Sequence, residues 1–161
     1  MRLKFILPLF TGFAMSAGAQ TNQPYYPAPM PSAQVQPVDM YVVMFRADWC
    51  GPCKIVEPRL DQALNQLADS GIEHVTIDSS DPPRSKNSAH LAFDRDFVQQ
   101  YNSWWGVTGF AAMIDADTKQ TLGCVDLTYD AASMAMHIRN LKEFAMSNQQ
   151  TFDVTCPAPN N

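Results

Sequence analysis

Tyr41-Val42-Val43-Met44-Phe45 is an almost unbroken apolar run of strand-forming residues, the pattern of a parallel strand covered on both faces. Beyond it, Val56, Leu60, Ala63, Leu64 and Leu67 recur at helical spacing, with Gly71 as a stop and Pro58 placed to kink the helix. His74 to Asp78 reads as a second strand. Strand, helix and strand with short links predict a right-handed βαβ unit with a parallel pair. Residues 79–93 open on turn signals at Asp81-Pro82-Pro83 and read as a polar excursion. A helix is expected to resume over roughly Ala89 to Asn102, with Leu91, Val98 and Tyr101 on its buried side. Phe110 to Ile114 and Gln120 to Leu127 read as a third and fourth strand, joined through Asp115–Lys119 as an antiparallel hairpin. Asp130 can cap a last helix whose inward stripe is Met134, Ile138, Leu141 and Ala145. The expected class is therefore α/β: β-α-β-α-β-β-α, a mixed four-stranded sheet in the order 2-1-3-4 with helices on its faces.

The first forty residues follow different rules. Arg2 and Lys4 precede an apolar run from Phe5 to Ala14, and the small residues Ala17-Gly18-Ala19 follow. That is the layout of a secretory signal peptide with cleavage after Ala19. The run is short for a membrane span, which takes about 20 apolar residues; only an uncleaved leader would attach the chain to a membrane. Prolines at 24, 27, 29, 31 and 37 fix φ and remove backbone donors, so an extended tether is expected. The reading is a leader over residues 1–19, a proline-rich tether over 20–37 and one folded domain over 38–161, periplasmic or secreted.

A composition 46% apolar in 161 residues suffices for one real core. The net charge of −5, with no basic cluster, gives no footing for a nucleic-acid partner. Export would change the meaning of the four cysteines, because disulfides persist in an oxidising compartment. Zinc would want two close pairs. Cys124 and Cys156 do not form a second one, and His74, His90 and His137 show no ligand spacing, so no metal is expected.

The segment Ala47-Asp48-Trp49-Cys50-Gly51-Pro52-Cys53-Lys54 falls at the junction of the first strand and first helix. A thiol at a helix N-terminus meets free N–H groups and the positive end of the dipole, which favour thiolate over thiol. Arg46 and Lys54 are placed to add positive potential. Cys50 is the expected nucleophile on a substrate disulfide, and Cys53, one turn on, the thiol that resolves the mixed disulfide.

Residues 41–69 resemble thioredoxin: an apolar strand, then ADWCGPCK, then a helix with Pro58 five residues past the second cysteine. A weaker resemblance runs on to about residue 147. It implies the thioredoxin-like fold, without the N-terminal strand and helix usual in full thioredoxins, and dithiol–disulfide exchange on protein substrates with no bound cofactor. It also implies supporting roles for Trp49, Gly51, Pro52 and Lys54, and a substrate loop at Phe110 and Ala111. Three positions depart from the family. Met44 stands where the family keeps a buried aspartate that helps deprotonate the resolving thiol. His74 stands near a family lysine. Gly109-Phe110-Ala111-Ala112 aligns with a G-I-P-T pattern and places Ala111 at the cis-proline; a cis bond before a non-proline costs about 3 kcal/mol, so a trans Phe110–Ala111 bond is expected.

Cys124 and Cys156 are expected to form a separate, structural disulfide. The roughly eight residues after the last helix reach on the order of 25 Å, enough to double back along the sheet. Two classes of function remain open at this stage. One is an exported oxidoreductase that reduces or isomerises disulfides of envelope proteins, fed by a membrane or envelope redox partner. The other is a thioredoxin-fold interaction module of a cell-envelope assembly with little turnover. Trp104-Trp105 would serve either as an apolar contact surface or as core.

Overall fold

The computed structural model describes residues 37–147 and 156–160. The leader and nearly all of the tether expected ahead of the domain lie outside the described residues. β1 (Met40–Arg46) runs parallel to β2 (Ile72–Asp78) on one side and antiparallel to β3 (Phe110–Asp115) on the other. β4 (Thr121–Asp126) pairs antiparallel with β3, which completes the sheet order β2-β1-β3-β4 predicted from the hydrophobic pattern.

Both faces of this sheet are covered, which is why the sequence of β1 does not alternate. Met40, Val42 and Met44 share one buried cluster with Val56, Leu60 and Ala63 of α1 (Cys53–Leu67) and Met134, Ile138 and Leu141 of α4 (Ala131–Met146). Tyr41, Val43 and Phe45 point the other way, into a cluster with Ile77, Phe97, Trp104, Phe110 and Ile114. The period of two is present in β1, but each side chain finds an apolar partner, so no polar residue is called for. Full burial of each such side chain contributes about 1.5–3 kcal/mol.

Residues 79–93 are not an excursion: all but the first three lie in α2 (Pro82–Asp94). The Asp81 carboxylate accepts from the Arg84 N–H at 2.9 Å, an N-cap bond, and Pro82 and Pro83 occupy the first helical positions, where no N–H partner is required. The turn signal was a helix start. The helix expected over Ala89–Asn102 is likewise divided. α2 ends at Asp94, Asp96 takes a left-handed φ of 57°, and α3 (Val98–Ser103) begins after Phe97. The break turns Ala92, Phe97 and Gln100 inward, while Leu91, Val98 and Tyr101 are only partly covered. Asp130 caps α4 as expected, accepting from the Ser133 N–H at 2.7 Å. Leu127 falls beyond the end of β4 and is exposed.

Candidate active site

Past Arg46 the chain makes one tight turn, closed by the Cys50 N–H to the Ala47 carbonyl at 3.0 Å, and enters α1. The N-cap position is Pro52, which has no side-chain acceptor to offer the helix. A sulfur supplies one instead: the Cys53 N–H donates to Cys50 Sγ at 3.1 Å. Cys50 thus stands just ahead of the helix, on its first free N–H, where negative charge on sulfur is favoured. The two sulfurs are bonded to each other at 2.00 Å. Both cysteines are buried, but the rim around them is not: Gly51, Pro52, Lys54 and Trp49 are exposed, Trp49 by 64%.

The opposite wall comes from the end of the α3–β3 connection. A β-carbon placed on Gly109 would lie 3.5 Å from Cys50 Sγ and 2.9 Å from the Pro52 β-carbon. Only a residue without a side chain fits there. The Gly109 N–H donates to the Phe45 carbonyl at 2.9 Å, and the same carbonyl oxygen lies 3.9 Å from Cys53 Sγ. Phe110 and Ala111, expected to form a substrate loop, lie inside β3 with buried side chains; Phe110 stacks on Phe45 at 4.9 Å between ring centroids. Ala111 pairs with Met44 on one side and Val125 on the other, and no cis peptide occurs among the described residues. Met44 is buried in the cluster that holds both cysteines. Cys53 Sγ thus has the Phe45 carbonyl within reach, with a thioether in its cluster where a carboxylate could have been.

A charged network braces the other flank. Arg46 contacts Glu57 and Asp48, each at 2.9 Å, and Asp78 at 2.5 Å. Arg84, from α2, holds Asp48 and Asp81, each at 2.7 Å. The Asp48 N–H donates to Ser80 Oγ at 2.8 Å, and Ser80 in turn donates to Asp78 through both its hydroxyl and its N–H. Asp48, two residues before the nucleophile, is thus tied to α2 by its carboxylate and to the β2–α2 link by its backbone. The hydrogen bond from Arg84, then that from Arg46, holds the Asp48 carboxyl below its usual range. Burial pushes Asp78 upward, but the bonds from Ser80 and the pairing with Arg46 outweigh it and its net shift is downward. The expectation that Arg46 adds free positive potential fails here, because three carboxylates share its guanidinium.

Sequence reasoning missed Asp48, Ser80, Arg84 and Gly109. Asp48 and Gly109 were visible within quoted motifs. Arg84 carried no signal, since it reaches Asp48 across 36 positions that only the fold brings together. His74, which stands near a family lysine, pairs with Val42 near the start of β1, on the order of 13 Å along the strand from Arg46. It stands by a cleft at the far end of the sheet, lined also by Leu64, Leu67 and Asp69. The tryptophan pair divides: Trp104 is buried against Phe45 and Phe110, and Trp105 is 47% exposed beside Tyr101. Cys124, buried in β4, is bonded to Cys156 at 2.07 Å. Among the described residues no group of three His, Cys, Asp or Glu side chains is arranged to hold a metal.

A β2-β1-β3-β4 mixed sheet with helices on both faces, and a disulfide of sequence separation 3 at the β1–α1 junction, define a thioredoxin-fold protein with a redox disulfide. The family profile described as Thioredoxin matches residues 32–92. Thioredoxin-T of Drosophila melanogaster is 50% identical over 30 residues, 19% of each chain. The thioredoxin of Chlamydia trachomatis is 39% identical over 49 residues, 30% of this chain and 48% of its own. The matches to these curated relatives thus span between about a fifth and a half of their length. Among solved structures, a thioredoxin-family thiol:disulfide interchange protein from Chlorobium tepidum has a TM-score of 0.44 at 22% identity, over 65% of this chain and 80% of its own. A thioredoxin-related protein from Neisseria meningitidis has a TM-score of 0.45 at 18% identity, over 73% and 92%. Residues 32–92 thus match the Thioredoxin family profile, and the described domain has the thioredoxin-like fold.

Proposed function

We propose that this protein is an exported thiol–disulfide oxidoreductase that reduces or isomerises disulfides of envelope proteins through Cys50 and Cys53. In the reducing direction the Cys50 thiolate attacks one sulfur of a substrate disulfide, forming a mixed disulfide and releasing the other substrate sulfur as thiolate. The Cys53 thiolate then attacks Cys50, the Cys50–Cys53 bond forms, and the second substrate thiol leaves. The substrate gains two electrons and two protons, and the protein loses them. A dithiol of a membrane or envelope partner must restore the pair. The Gly-Pro dipeptide is that of reducing thioredoxins, whose couple lies at about −270 mV, which favours electron delivery to substrate once such a donor is present.

The observation that carries this reading is Cys50 Sγ on the first free N–H of α1, bonded to Cys53 beneath an exposed Trp49. The signal-like leader supports export. Turnover of a disulfide-bonded protein such as insulin, with a dithiol reductant, tests the chemistry, and fractionation of the producing cell tests the location. Sustained turnover and an envelope fraction are expected; no turnover would favour the second reading, an interaction module of an envelope assembly. That alternative draws on Met44 and Ala111, which leave the resolving thiol without a carboxylate and the substrate wall without its proline.

A further inference from the structure

The described end of the chain lies against the redox site's supporting wall. Cys156 is bonded to Cys124 and packs on the cluster of Phe45, Trp104 and Phe110. From there the Pro157 carbonyl accepts from Trp104 Nε1 at 3.0 Å. The Asn160 N–H donates to the Ser103 carbonyl at 2.7 Å, and Asn160 Nδ2 donates to the Trp105 carbonyl at 2.6 Å. Three consecutive residues at the end of α3 are thus held by the tail. Helix ends leave carbonyls without intrahelical partners, and Asn160 meets them from a distant part of the chain. Only three residues separate Trp105 from Gly109, the residue that faces Cys50 Sγ.

We propose that the 156–160 tail is a positioning strap for the redox site: Cys156, Pro157 and Asn160 hold Ser103–Trp105, and through them set how closely Gly109 covers Cys50. This rests on the dithiol-exchange reading above. The strap touches no reacting atom. Its effect is to keep the wall of the site in one place, so that the sulfur stays covered until a substrate docks. An oxidised Cys124–Cys156 bond is what keeps the strap in reach of its three partners, which links the second disulfide to the reactivity of the first.

The experiment uses the full chain with Cys50–Cys53 selectively reduced, the Cys124–Cys156 bond being verified by peptide mapping. Wild type is compared with Asn160→Ala, Asn160→Gln, and the double variant Cys124→Ala/Cys156→Ala. Asp130→Ala, which removes the remote α4 cap, is the control for lost stability alone. The first readout is the pH profile of Cys50 alkylation by iodoacetamide; the second is KM and kcat for insulin against the rate with a small aromatic disulfide. Loosening the strap should speed alkylation about threefold or more. It should also raise KM for insulin about threefold or more with kcat within about twofold, while reaction with the small disulfide speeds up in step with alkylation. Asn160→Gln should recover part of the loss. Wild-type profiles in both Asn160→Ala and the double variant would overturn the strap, as would the same change in Asp130→Ala. Absence of insulin turnover in wild type would fail the dithiol reading alone, since the alkylation profile still decides the strap.

Discussion

Gly109 lies against Cys50: an added β-carbon would stand in ordinary contact with Cys50 Sγ at 3.5 Å, but only 2.9 Å from the Pro52 β-carbon, which is too close. The glycine also has a φ of +94°, a conformation in which a β-carbon is strained. Gly109→Ala should therefore destabilise the protein by about 1–3 kcal/mol and slow its reaction with a protein disulfide, because Pro52 must shift. Thermal melts and insulin turnover measure the two effects. A variant equal to wild type in both would show that the loop yields freely.

The roles of the two cysteines separate by trapping. Cys53→Ser leaves the nucleophile on the helix N–H and removes the thiol that resolves, so mixed disulfides with partner proteins should accumulate. Cys50→Ser should trap none. Non-reducing gels followed by peptide mapping read the result, and a reversed pattern would exchange the assignments.

Met44 is 1% exposed in the cluster that contains Cys53. Met44→Asp should shorten the lifetime of the mixed disulfide by about 100-fold, the lower end of what a positioned general base contributes. Burying a carboxyl among apolar side chains should also cost about 2–4 kcal/mol. Quenched-flow measurement of mixed-disulfide decay, beside a denaturant melt, tests both. Ala111→Pro offers no matching gain, because Ala111 lies in a strand paired on both sides, where proline removes a ladder donor.

The network around Arg84 predicts a pH dependence of defined sign. The carboxyls of Asp48, Asp78 and Asp81 are all held below the ordinary aspartate range in the folded protein. Their contribution to stability is therefore present above the unfolded value and lost as pH falls through the lower folded values. Arg84→Ala should lower the Tm most above about pH 5, and its gap from wild type should narrow below about pH 3. Melting curves across that range check it; a gap independent of pH would mean that Arg84 acts through packing alone.

The second disulfide closes a loop of sequence separation 32. Removing it in Cys124→Ala/Cys156→Ala should cost roughly 3–4 kcal/mol by releasing unfolded-chain entropy. Denaturant melts give the cost. Mapping of wild-type protein without reductant should recover Cys124 and Cys156 in one linked fragment, and their recovery as two alkylated thiols would contradict the pairing.

The strand order, the βαβ unit and the position of Cys50-Gly51-Pro52-Cys53 were legible in the chain because each depends on local periodicity and on residues adjacent in sequence. A short apolar run of strand-forming residues without alternation reads as a strand covered twice, and two residues between cysteines let both sulfurs meet in one helical turn. Asp81-Pro82-Pro83 was ambiguous for a local reason: the same residues open a turn or a helix, and the tie was broken by what followed, where Ser88 and Ala92 found a buried face against the sheet. The neighbours of the redox pair were decided by tertiary structure alone. Gly109 reaches Cys50 only because β3 pairs with β1, Arg84 reaches Asp48 only because α2 packs beside β2, and Asn160 reaches the end of α3 only because Cys156 is bonded to β4. Each is a contact between residues dozens of positions apart, and hydrophobic periodicity, which reports the face of an element, carries no record of which element lies across from it.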